Sequence, residues 1–146
     1  HVEFFISPNP GEDLRPLARI ASGGELSRVM LALHALAAVG EPGKTLIFDE
    51  VDVGIGGGVA EIVGQQLRAL GGQRQVLCIT HLAQVASQGR QHLQVSKLNQ
   101  NGVTVTHIQT LPEAARVQEI ARMLGGIEIT RQTLDLASDM LTRASA

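Results

Sequence analysis

The 146-residue sequence contains no tryptophan, no tyrosine and only three phenylalanines, Phe4, Phe5 and Phe48. That scarcity argues against a single-strand nucleic-acid binder that stacks bases on aromatic platforms. Positive charge is not in excess: 12 Lys+Arg stand against 14 Asp+Glu, a net charge of −2, which argues against a strongly basic, electrostatically driven nucleic-acid binder. The lone Cys78 excludes a disulfide framework and a multi-cysteine zinc site, and it fits a reducing compartment. No apolar run approaches the ~20 residues of a membrane span, so no membrane partner is expected. His1, His34, His92 and His107 show no metal-ligand spacing. The start, His1-Val2-Glu3, has neither an initiating Met nor the features of a signal peptide, and a strand-like run begins at once. The sequence therefore reads as a fragment.

What is present supports a compact core. Hydrophobic residues make up 44% and charged residues 18%, and the length suits one domain. Val2 to Ser7 reads as a short strand ended by the loop Pro8-Asn9-Pro10-Gly11, and a polar connection containing Pro16 follows. Leu26, Val29, Met30, Leu33, Leu36 and Ala37 recur at helical spacing, which predicts an amphipathic helix over Glu25 to Ala38, stopped by Gly40-Glu41-Pro42-Gly43. Thr45-Leu46-Ile47-Phe48 is a continuous apolar run, the pattern of a strand buried on both faces of a parallel sheet. A glycine-rich turn, Gly54 to Gly58, leads to a helix at about Val59 to Leu70. Gln75 to Thr80 reads as a second buried strand, followed by His81 and a short helical stretch to about Gln88. His92 to Leu98 and Val103 to Thr110 alternate around Asn99-Gln100-Asn101-Gly102, a hairpin with a four-residue turn. Two helices close the chain, about Pro112 to Leu124 and Thr130 to Arg143, separated by Gly125-Gly126. The fold class is α/β: a mostly parallel sheet with flanking helices, a small hairpin and a helical tail.

Four groupings are candidates for chemistry. Ser22-Gly23-Gly24-Glu25 opens the first helix, where a serine cap, close backbone approach and the helix dipole favour an anion; an ordinary capped helix start reads the same way. Asp49-Glu50 ends a buried strand, the edge of an α/β sheet where ligands sit. Adjacent strand residues point apart, so one carboxylate can hold a hydrated Mg²⁺ while its neighbour orients or deprotonates water; the bland reading is a solvated acidic turn. Thr80-His81 ends the next strand and would share that rim, although a histidine there is often a surface or capping residue. Asp52 to Gly58 can shape a loop beside the acids, or be a flexible turn. Gly43-Lys44-Thr45 imitates the end of a phosphate-binding loop, but the first glycine would fall at Ala38 and the context is reversed, helix before strand.

Taken in order, these motifs resemble one family. Ala21-Ser22-Gly23-Gly24-Glu25-Leu26-Ser27-Arg28 is similar to the signature motif of ABC-type ATPases, and Leu46 to Glu50 to Walker B with its catalytic glutamate. Asp52 to Gly57 resembles the D-loop and Thr80-His81 the switch histidine; Asp49-Glu50-Val51-Asp52 leans towards the SMC-like chromosome and repair ATPases. Asn9-Pro10-Gly11-Glu12, Leu14-Arg15-Pro16-Leu17, Asp52-Val53-Gly54-Ile55 and Arg122-Met123-Leu124-Gly125-Gly126 resemble the RecN family of bacterial DNA-repair proteins. Ala21 stands where the family usually has leucine.

The resemblance implies that residues 1–146 form the C-terminal lobe of an SMC-like ATPase head of P-loop NTPase type, without the P-loop lobe and coiled coil. It implies ATP and Mg²⁺ as cofactors, Asp49 as metal ligand, Glu50 and His81 as catalytic residues, and Ser22, Gly23, Gly24, Glu25 and Asp52 as nucleotide-binding residues, with Asp52 at the dimer seam. The implied partners are the N-terminal lobe, a second head joined through ATP, and DNA, in a cytoplasmic, nucleoid-associated protein that tethers DNA during double-strand-break repair and recombination. The alternatives are a non-catalytic head-like module for dimerisation or DNA contact, and an ABC ATPase of another system.

Overall fold

The computed structural model describes residues 2–7, 10–19, 22–36, 44–100, 102–125 and 128–145. The chain opens with a ribbon in which β1 (Phe5–Ile6) runs antiparallel to β2 (Arg15–Pro16), Phe5 opposite Pro16. The strand expected over 2–7 is thus two residues long, and its partner lies in the stretch read as a polar connection. Proline cannot donate to a ladder, but at the edge of a two-stranded ribbon the missing N–H faces away from the pairing. A 3₁₀ turn, Leu17–Arg19, leads towards α1 (Gly23–Leu36), which begins two residues earlier than expected. The expected end of that helix at Ala38, the stop Gly40-Glu41-Pro42-Gly43, Pro8-Asn9 and Gly126 lie outside the described residues.

Next come β3 (Thr45–Phe48), α2 (Gly57–Leu70), β4 (Gln75–Cys78) and the single turn α3 (Ala83–Ala86). β3 and β4 pair in parallel, Thr45 to Gln75 through Phe48 to Cys78. β5 (Leu93–Gln100) and β6 (Val103–Thr110) form the hairpin, and α4 (Glu113–Gly125) and α5 (Arg131–Ser145) the tail. The hairpin is longer and its connection shorter than expected, because Asn99 and Gln100 stay in the ladder opposite Thr104 and Val103. Gly102 takes φ 81° and its N–H donates to Asn99 Oδ1 at 3.0 Å, a turn that glycine closes without a steric penalty.

The expectation of one mostly parallel sheet is corrected: the described strands form three two-stranded sheets, and only β3–β4 is parallel. The expectation of strands buried on both faces is corrected too. Leu46, Phe48, Val76 and Cys78 pack with Leu31 of α1, with Val63, Leu67 and Leu70 of α2, and with Val85 of α3. The pleat sends Ile47, Leu77 and Ile79 to the opposite face, where they are 68%, 42% and 59% exposed. Helices cover one face of the pair, and among the described residues none covers the other.

A second core joins Ala83 to Ile120, Ala121 and Ala137, flanked by Val117, Leu134 and Met140. The short helix α3 belongs to both cores, giving Val85 to the first and Ala83 to the second. Gly64 makes that seating possible: a Cβ there would lie 2.8 Å from Gln88 Cγ and 3.2 Å from Val85 Cα. Ile120 is fully buried, whereas Ile62 on α2 is 58% exposed. Ile120→Ala should therefore cost about 2–5 kcal/mol of unfolding free energy, and Ile62→Ala less than about 0.5 kcal/mol, as read by urea denaturation. Equal losses at the two sites would contradict the two-core packing.

Candidate active site

The apolar strand β3 ends in two acids. The Glu50 N–H donates to Asp49 Oδ1 at 2.9 Å, which fixes the first carboxylate against the chain. Glu50 itself sits at φ 60°, a left-handed conformation uncommon outside glycine, and its carbonyl accepts from Val53 N–H at 3.2 Å. Residues held in such strained conformations cluster at functional sites. Both acids are exposed.

The mouth of α1 is latched onto this turn. Ser22 caps the helix, its Oγ accepting from Glu25 N–H at 3.2 Å. One turn on, the Ser27 hydroxyl donates to the Asp49 carbonyl at 2.7 Å, and Arg28 Nη1 donates to the carbonyls of Val53 at 2.9 Å and Val51 at 3.3 Å. Contact is too close for side chains on the facing residues: a Cβ on Gly23 would collide with Glu50 Oε2, and one on Gly24 would lie 2.8 Å from the Glu50 carbonyl oxygen. Gly24 is required by this close approach to backbone, whereas Gly23 faces the movable tip of the Glu50 side chain. Gly54 and Gly57 are required by conformation instead, with φ 74° and 52° and open space around each.

Asp52 joins this turn to the end of β4. Its carboxylate is 2% exposed, and Oδ2 accepts from Thr80 Oγ1 at 2.5 Å and from His81 N–H at 3.0 Å. The His81 ring lies against the same oxygen, Nδ1 to Oδ2 at 3.2 Å, while its side chain is 68% exposed. Burial by itself would raise the Asp52 carboxyl, but the Thr80 hydroxyl, the His81 amide and the His81 charge outweigh it and hold the pKa below its ordinary value of 3.8. Stability contributed by Asp52 is thus complete above that value and is lost as the pH falls through the lowered one. Behind the rim, burial and then the charges of Asp52 and Asp49 push the Cys78 thiol up to about 12.

Three of the sequence groupings therefore meet on one edge: Ser22 to Glu25, Asp49-Glu50 and Thr80-His81. Asp52 turns its carboxylate inward, where Thr80 and His81 occupy it. Arg28 is a backbone latch, and so is Arg68, which donates to the Gln88 carbonyl at 2.9 Å. Neither role has a sequence pattern, because a carbonyl acceptor carries no residue identity. Among the described residues no group of three or more His, Cys, Asp or Glu is placed to hold a metal ion. A single oriented aspartate fits Mg²⁺, which takes one or two carboxylates and completes its shell with phosphate oxygens and water.

No family model matches the chain. It is 54% identical over 139 residues to the DNA repair protein RecN of Xylella fastidiosa strain Temecula1, covering 95% of this chain and 25% of that protein. Against RecN of Vibrio cholerae it is 49% identical over 143 residues, 98% of this chain and 26% of that one. Against RecN of Bacillus subtilis it is 43% identical over 143 residues, 98% and 25%. The likeness to RecN proteins thus runs through nearly the whole chain, which spans about a quarter of their length. A chain solved in work on ATP-driven dimerization and DNA-stimulated activation of SMC ATPases superposes with a TM-score of 0.50 at 20% identity, covering 82% of this chain and 80% of that one. That likeness is one of fold.

With its pKa near 12, Cys78 is almost wholly protonated at pH 8, whereas an ordinary cysteine is partly thiolate there. A disulfide reagent at pH 8 should label the native chain at least ~100-fold more slowly than the urea-unfolded chain; equal rates would contradict the buried, carboxylate-facing thiol.

Proposed function

We propose that this chain is the C-terminal lobe of an SMC-like ATPase head, and that the complete protein binds and hydrolyses ATP between two heads to drive DNA tethering in double-strand-break repair. The observation that carries the reading is the meeting of a glycine-lined helix mouth, two carboxylates and a histidine on one rim, in a chain similar to RecN throughout. The exposed apolar face of Ile47, Leu77 and Ile79 supports the reading as well, since a patch of this kind is expected to meet another surface. In this proposal the N-terminal lobe covers that face and supplies the phosphate-binding loop that the sequence does not contain.

Each rim residue has a part. Asp49 would help hold Mg²⁺, which neutralises phosphate charge when bound. Glu50 would orient and deprotonate the attacking water, and His81 would face the γ-phosphate. Ser22, Gly23 and Gly24, with Glu25 in the same first turn, would reach the γ-phosphate of ATP on the opposite head, where the free N–H groups and helix dipole favour an anion. Loss of that phosphate on hydrolysis would remove the bridge and let the heads part.

In the full-length RecN-type protein, Glu50→Gln should keep ATP binding, lower turnover by ~10²-fold or more and accumulate ATP-bound dimers. Loss of ATP binding in that variant, by nucleotide titration, would give Glu50 a structural role and sink the assignment. Ser22→Arg should leave nucleotide binding to each head intact but abolish ATP-driven dimerisation in light scattering; unchanged dimers would refute the contribution in trans. The 146-residue chain alone should hydrolyse essentially no ATP, and a robust Glu50-dependent turnover would overturn the proposal of a site shared between lobes.

A further inference from the structure

The rim contains a pairing that the roles above leave unexplained: an exposed histidine ring held by an almost fully buried carboxylate. Asp52 is 2% exposed and lies in the turn after β3, whereas His81 follows β4 and its side chain is 68% exposed. Two of the three contacts at Asp52 Oδ2, from Thr80 Oγ1 and from His81 N–H, already close the junction between the turns. The third, Oδ2 to Nδ1 at 3.2 Å, adds nothing to that closure. What it restrains is the ring, which at this exposure would otherwise sample several rotamers. An acceptor-only carboxylate oxygen 3.2 Å from Nδ1 also biases the tautomer, because a bare lone pair on Nδ1 would face the lone pairs of Oδ2, whereas a proton there would face negative charge.

We propose that Asp52 is a positioning residue for His81, fixing the ring with its proton on Nδ1 and leaving Nε2 as the nitrogen presented to the ligand side of the rim. The proposal rests on the reading of His81 as the group that faces phosphate. It gives Asp52 a role within its own head, distinct from a contact to nucleotide. Because Asp52 and Glu50 share one turn, the same carboxylate also sets where His81 stands relative to the turn that carries the water-activating acid. Misplacement of a reacting group by about 1 Å can cost on the order of 10²-fold in rate, so this coupling is large enough to measure.

The first test needs no substitution. Long-range ¹H–¹⁵N NMR of the ¹⁵N-labelled chain at neutral pH should show His81 with its proton on Nδ1; a dominant Nε2–H form would overturn the proposal. The second uses the full-length RecN-type protein. Asp52→Ala should lower kcat by roughly 10- to 100-fold with little change in KM for ATP, and Asp52→Asn by less, since its amide oxygen can still face Nδ1. Should the alanine variant fail to fold, the asparagine variant carries the test. Added to His81→Ala, either substitution should cost no further activity. An equal loss with and without His81 would mean that Asp52 only supports the fold, and the positioning role would fall. Unchanged turnover in His81→Ala itself would instead sink the phosphate-facing reading of His81, an outcome that the NMR result does not depend on.

Discussion

The buried Asp52 carboxylate is the constraint on which the rim depends, because the secondary structure beneath it is slight. β3 and β4 share four residue pairs, and past Phe48 a single backbone bond, Ile79 N–H to the Phe48 carbonyl at 2.9 Å, continues the pairing. Beyond that point the turns are tied by side chains. An ionised carboxylate withdrawn from water is costly unless its lone pairs are satisfied. Here the Thr80 hydroxyl and the His81 amide donate to Oδ2, and with the nearby His81 charge they hold the carboxyl below its ordinary value despite burial. Removing any one donor would leave a buried charge underpaired, so the junction favours one geometry over its neighbours.

The same logic extends to α1. Ser27 and Arg28 donate to the carbonyls of Asp49, Val51 and Val53, all in the turn that Asp52 anchors. Helix mouth, acidic turn and histidine are thus parts of one hydrogen-bonded assembly, in which most of the acceptors are backbone oxygens. Such a construction explains why glycine is needed at 24, where the helix backbone comes against Glu50 and Val53. It also explains how Glu50 is held at φ 60°, since its N–H, carbonyl and flanking residues are all engaged.

Helices and motifs were legible in the sequence because periodicity and residue type encode them directly. α1, α2, α4 and α5 fall within a few residues of the expected ranges, and the apolar runs at 46–48 and 76–78 are strands. Two kinds of feature were not legible. Backbone-directed contacts leave no pattern, so neither the latch at Arg28 nor the pairing of Arg15–Pro16 with Phe5–Ile6 can be inferred from composition. Burial of Asp52 was hidden because it is preceded by Asp49-Glu50 and followed by glycines, a context that suggests solvent; only the fold of the turn brings its carboxylate under Thr80 and His81.

The misjudged burial of the strands has a different origin. A continuous apolar run signals a strand covered on both sides, and β3 and β4 are covered on one. The hairpin repeats the pattern. Gln94 turns towards the helical tail, where Nε2 donates to Glu119 Oε2 at 2.6 Å, and Gln109 donates to Gln94 Oε1 at 2.7 Å. Glu119, only 7% exposed, is held below the ordinary carboxylate range by Arg122, whose hydrogen bonds outweigh the effect of burial. The hairpin therefore docks by its polar side, and register places Leu93, Val95 and Ile108 on the other, 52%, 62% and 60% exposed. A hairpin folding for itself would bury the opposite side. Two sheets of this chain thus present β-branched and leucine side chains away from the helices, apolar surface of the kind that meets another surface.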